Sequence, residues 1–138
     1  MNLTTDFQVK ALFTIGEERG DRFSWVNSVL DWHESNKNEQ PTLEEIQTKA
    51  DELEAEEPMR LLRLHRNYLL SETDWWASSD RTMTAEQTAY REELRDLPTT
   101  ASPALSPKFS LSNAAVSEKN NPKRLSKQIA NVTWPTKP

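Results

Sequence analysis

Seven carboxylates crowd one stretch of the chain: Glu44, Glu45, Asp51, Glu52, Glu54, Glu56 and Glu57. A pair of them could do acid–base work if burial or a coupled partner tuned one away from its neighbour. Nothing in their spacing supplies that, so a solvated helix face is the reading. The two histidines, His33 and His65, stand in no H-x-x-H or H-x-x-x-H pair, and zinc would need three or four converging ligands. The absence of cysteine excludes a disulfide framework, cysteine-ligated metal and thiol catalysis. Two glycines, Gly16 and Gly20, leave no Gly-rich phosphate cradle. Serine, histidine and aspartate are present, but no strand–turn–helix elbow presents a nucleophile. The expectation is a non-enzymatic chain with no cofactor and no metal.

Binding chemistry is better supplied. Five tryptophans are spread over 138 residues. Trp75 and Trp76 are adjacent, so a regular backbone sends them to different sides. One can pack inward while the other serves as a docking anchor, a role in which Trp is enriched. Trp134-Pro135 follows a long polar tract and reads as a clip onto the chain's own body or onto a partner. Arg60, Arg63 and Arg66 recur at i+3 steps, but the strongly acidic body around them argues against nucleic acid. Arg63 and Arg66 instead suit charge-assisted pairing with Asp74 and Asp80 across a helical hairpin.

The elements that must position these residues read as helices. Hydrophobic residues make up only 35%, which allows a thin core. Residues 1–98 hold 11 basic and 21 acidic side chains, while residues 99–138 hold six basic ones and Glu118 alone. No apolar run reaches the length of a membrane span, and the start does not read as a signal peptide. A short helix is expected up to Gly16–Gly20. A second is expected over about Asp21 to Ser35, with Trp25, Val26, Val29, Leu30 and His33 as its stripe. Thr42 and Glu45 fit a capping box that opens a third, broken or kinked at Pro58. A fourth runs over about 59–70. A second capping box at Thr84 opens a fifth over 85–96, with Tyr90, Leu94 and Leu97 as its stripe and Pro98 as its stop. Lys108 to Leu111 is the only weak strand candidate. Residues 99–138, rich in Pro, Ser, Asn and Lys, should be disordered when alone.

These readings predict an all-α protein: an elongated helical hairpin core with an extended, irregular C-terminal tail. Its divisions are an N-terminal partner-specific segment (1–40), a helical module (41–98) and a basic Pro-rich tail (99–138) ending in the Trp-Pro clip. Trp75 or Trp76, with Tyr90 and Leu94, would make the central apolar contact.

Three segments carry a resemblance. Met59 to Trp76 holds an R…L…T-D-W pattern ending Thr73-Asp74-Trp75-Trp76. Tyr90-Arg91-Glu92-Glu93-Leu94-Arg95-Asp96-Leu97-Pro98 holds Y-R-x-x-L-R-D-L-P. Val132 to Pro138 holds a terminal W-P. Together they resemble the bacteriophage tail assembly chaperone-like family. Two features depart from the family pattern: Gln87 stands where an aromatic is common, and Thr99 to Asn131 is a longer spacer. The resemblance implies a protein that binds tail, baseplate or tail-fibre subunits during assembly and remains in the virion, with host cytoplasm as the place of assembly. A decoration or adaptor subunit of the particle is the competing reading, and self-association within the particle is compatible with both. Trp75, Trp76, Tyr90, Leu94, Trp134 and Pro135 are the expected partner-binding residues.

Overall fold

The computed structural model describes all 138 residues, Met1–Pro138. The chain forms two compact units, Met1–Glu56 and Glu57–Pro138, each with its own apolar core. The order of elements is α1 (Asp6–Arg19), β1 (Phe23–Val26), β2 (Val29–Trp32), α2 (Leu43–Thr73), α3 (Ala85–Thr100), β3 (Ala104–Leu105), α4 (Leu111–Asn120) and β4 (Ile129–Ala130). Two 3-10 segments, Asp74–Ala77 and Pro122–Gln128, lie after α2 and after α4. The fold is therefore mixed rather than all-α, with two small antiparallel sheets.

Helix starts follow local chemistry. Thr5, Thr42 and Thr84 each accept a hydrogen bond on the hydroxyl from the backbone N–H three residues on. The side chains of Gln8, Glu45 and Gln87 reach back to the threonine N–H. Each box satisfies two backbone donors that the first turn leaves free. Gly20 ends α1 with a left-handed φ of 71°, a conformation that costs a side-chain-bearing residue.

The expected second helix is a β-hairpin. Phe23 pairs with Trp32 and Trp25 with Leu30. These four are half-buried, while Ser24, Val26, Val29 and Asp31 point out. Asn27 and Ser28 take φ of 50° and 63°, the two positive values that a tight hairpin turn requires. The valines at the tip filled helical spacing in the sequence and hid the two-residue period. The Phe23 ring stacks on Trp32 at 5.6 Å and tilts against Phe13 at 5.1 Å. It lies so close to α1 that a Cβ at Gly16 would run into it. The core behind the hairpin is Ala11, Leu12, Ile15, Ile46 and Ala50.

Neither proline ends its helix. Pro58 lies within α2 and Pro98 within α3. Each forfeits one backbone hydrogen bond, but the flanking residues are fixed by packing: Leu61, Leu62 and Leu97 are buried in one cluster. The hydroxyls of Thr99 and Thr100 also return to Asp96 O and Leu97 O, which supports the last turn of α3.

Residues 99–138 are not an irregular tail. Ala114, Leu125 and Ile129 from this segment bury against Leu61, Leu62 and Leu97. β3 pairs with β4, Ala104 opposite Ala130 and Leu105 opposite Ile129. Ser110 caps α4 by accepting from Asn113 N–H. Lys108 to Leu111 forms no strand and instead leads into that cap. The apolar residues are few, but Ala114, Leu125 and Ile129, with Ala101, Leu105, Phe109, Val132 and Trp134 around them, join the cluster of Leu61, Leu62 and Leu97.

Two substitutions test the N-terminal unit in opposite directions. Ser28→Gly relieves a left-handed residue and should raise stability by up to about 1 kcal/mol. Gly16→Ala drives a methyl into Phe23 and should cost about 1–3 kcal/mol. Thermal or urea unfolding of the full chain reads both, and two shifts of the same sign would contradict this account of the hairpin.

Candidate functional site

The site begins where α2 ends. The last carbonyls of a helix lack intrahelical partners and carry partial negative charge, and the last turn of α2 has no basic residue of its own. Arg91, nearly two turns into α3, supplies the cation. Its Nη1 donates to Leu70 O at 3.0 Å and to Thr73 Oγ1 at 2.7 Å. Its Nη2 donates to Asp74 Oδ1 at 2.9 Å. Arg91 is buried and Thr73 fully so, whereas the Asp74 carboxylate is largely in solvent. The Arg91 Nε–H alone has no partner.

That clamp holds the connector in place. The 3-10 segment Asp74–Ala77 then turns the two adjacent tryptophans apart. Trp76 is 4% exposed and packs with Tyr90 and Leu94, its ring 6.0 Å from that of Tyr90. Trp75 is 55% exposed. Its Nε1–H donates to Glu72 O at 3.1 Å, and the Arg81 guanidinium carbon lies 4.4 Å from the ring centre. A cation over an indole face is attracted by the ring quadrupole, so Arg81 steadies Trp75 from the solvent side. Asp80 Oδ1 accepts from Ser78 Oγ and orders the loop that follows.

The C-terminal arm reaches the same place. Trp134 packs against both apolar clusters of this unit, the one around Leu61, Leu62 and Leu97 and the one around Trp76. Its ring meets His65 edge-on at 4.6 Å. Pro135 beside it is half-buried, and the Lys137 ammonium lies 5.9 Å from the Trp76 ring centre. His65 is buried, its Nδ1 3.2 Å from Pro122 O. Burial holds its pKa below the ordinary value; the bond to Pro122 and the charge of Glu72 oppose that shift without overcoming it.

The structure thus gathers Trp76, Tyr90, Leu94 and Trp134 and leaves Trp75 facing outward. It does not bring Arg63 or Arg66 to Asp74 or Asp80. Arg63 is exposed, and Arg66 donates to Asn67 Oδ1 instead. The cation that sets the hairpin is Arg91, one residue from Tyr90 and on the flank of the apolar stripe. Its signal was a basic residue bordering a core face opposite a helix whose own last turn lacks one.

One buried carboxylate also belongs to this unit. Glu57 receives Arg60 Nε at 2.8 Å and Nη2 at 2.7 Å, and Arg60 Nη1 continues to Glu118 at 3.0 Å. Glu57 thus holds the Arg60 guanidinium, and Arg60 ties α2 to α4 through Glu118. No group of three or more His, Asp or Glu is gathered as a metal-binding set, and no helix is long and apolar enough to cross a membrane. No family model, curated protein or solved structure matches the chain.

The His65 contact gives a pH test. Its folded pKa lies below its unfolded one, so on acidification the unfolded chain takes up the proton first. Stability should fall between about pH 7 and pH 5, as pH passes below the ordinary histidine value. Thermal melting across that range should show the fall in the parent chain and a shallower one in His65→Gln. A parent chain more stable at the lower pH would contradict this reading.

Proposed function

We propose that this chain is a non-enzymatic bacteriophage tail protein that binds a tail, baseplate or tail-fibre subunit during assembly and stays with it in the particle. The observation that carries the reading is convergence. The three sequence segments that resemble the tail assembly chaperone-like family meet at one corner, the third of them arriving from the distant end of the chain. Thr73, Asp74 and Trp76 come from the first, Tyr90, Arg91 and Leu94 from the second, and Trp134 from the third.

The same corner supplies the contact. Trp75 is a large aromatic in solvent, braced by Glu72 and Arg81 and bordered by the exposed Asp74 and Asp80. An indole ringed by charged groups matches the composition of interface hot spots, where burial of the ring provides affinity and the polar rim provides orientation. The partner it suits presents an apolar pocket with hydrogen-bonding groups at its mouth.

Co-expression with each tail, baseplate and tail-fibre subunit of the phage that encodes it tests this. One subunit should co-purify, and Trp75→Ala should weaken that complex by about tenfold or more. Trp75→Ala leaves the buried cluster intact, so its melting temperature should stay close to that of the parent. Capture of no tail subunit, or capture indifferent to Trp75, would overturn the proposal.

A further inference from the structure

The C-terminal unit carries a groove that the corner around Trp75 does not use. It lies between α4 and the 3-10 segment Pro122–Gln128 and has a volume of about 620 Å³. Asn113, Val116 and Asn120 line it from one face of α4, and Arg124, Lys127 and Gln128 from the other wall. Val116 is 59% exposed there. Neither Arg124 nor Lys127 has an ion pair, and the only acidic residue after Asp96, Glu118, is taken by Arg60. The wall is therefore cationic with no internal counter-charge. Its amides can hydrogen-bond a backbone or carboxylates, and no aromatic platform is present for a sugar or a base.

The complementary surface belongs to the chain itself. The N-terminal unit, residues 1–56, holds five basic and thirteen acidic side chains; the C-terminal unit, residues 57–138, holds twelve and nine. On α2, Glu44, Gln47, Asp51 and Glu54 recur at 3-4-3 spacing, so they share one face, and all four are exposed. The adjoining face, Ile46, Ala50 and Leu53, packs into the core. Neither Glu44, Asp51 nor Glu54 is in an ion pair, although the neighbouring Glu45 and Glu52 are.

We infer that the acidic face of α2 in one copy docks in the Arg124–Lys127 groove of a second copy. Arg124 and Lys127 meet the carboxylates of Glu44, Asp51 and Glu54, the amides of Asn113, Asn120 and Gln128 meet the remaining carboxylate oxygens, and Val116 contributes the apolar contact; Gln47, bonded to Gln8 and Asp51, holds the Asp51 carboxylate in place. The two surfaces differ, so the contact is heterologous and adds copies head to tail. It is steered by charge and weakened by salt. This self-association is independent of the tail-assembly reading and needs only the purified chain.

Sedimentation velocity of the full chain tests it. Oligomers should form at about 50 mM salt and dissociate at about 500 mM, where screening shortens the reach of charge. The pair Arg124→Glu with Lys127→Glu should leave the chain monomeric at low salt. So should Glu44→Lys with Glu54→Lys. All four side chains are exposed, and far-UV circular dichroism checks that each variant folds. Mixing the two reversed variants should restore association, because each now complements the other. A monomeric parent at low salt, oligomers that persist in the Arg124–Lys127 variant, or no rescue on mixing would each overturn the inference.

Discussion

A guanidinium taken out of water must find its hydrogen bonds inside the protein, and the cost of failing is large enough to fix the surrounding backbone. Arg91 meets most of that demand with Leu70 O, Thr73 Oγ1 and Asp74 Oδ1, and its Nε–H is left without a partner. Three consequences follow from the one side chain. It closes the C-terminus of α2 by placing positive charge on the negative end of the helix. It ties α3 to the last turn of α2, because the arginine must reach Leu70 O and Thr73 Oγ1 together. It also sets where the 3-10 segment begins, and so which of two adjacent indoles turns inward. The cavity that Trp76 fills with Tyr90 and Leu94 exists in the shape the clamp gives it. Trp134 then closes over both clusters.

How much of this could be read from the sequence depended on range. The capping boxes at Thr42 and Thr84 were legible because every atom involved lies within four residues. The grouping of a tryptophan with Tyr90 and Leu94 was legible because the stripe on α3 is regular. The β-hairpin was not. Asn27-Ser28 is a weaker turn signal than Asn-Gly, and Val26 and Val29 put apolar residues on the solvent face, where a helical period could claim them. Arg91 gave no such local signal, because its partners Leu70, Thr73 and Asp74 lie on another element and it sits at the edge of an apolar stripe.

The C-terminal segment shows the limit of composition most clearly. Counted by itself, 99–138 lacks the apolar surface to offset chain ordering. Counted with its neighbours, it does not need it. Leu61 and Leu62 on α2 and Leu97 on α3 are buried only because Ala114, Leu125 and Ile129 cover them. Pro58 and Pro98, each inside a helix, belong to the same lesson. A proline within a helix removes one hydrogen bond, and a few buried leucines on either side outweigh that loss. Local rules gauge what a segment costs, while the repayment here arrives from residues sixty positions away.

The exposed indole has its own physical logic. An unsupported surface tryptophan would sample several rotamers and lose that freedom on docking, at a cost of about 0.5–1.5 kcal/mol for an immobilised side chain. Trp75 is held before any partner arrives. Its Nε1–H is committed to Glu72 O, its face to Arg81, and its edge meets Trp76 at 6.3 Å between ring centres. The inward ring therefore does more than fill a core: it is the wall against which the outward ring is oriented. Because Trp76 is placed by the clamp at Arg91, the orientation of Trp75 is inherited from the end of α2. A change at Arg91 should reach the surface indole without any contact between them, so the clamp and the exposed ring act as one unit.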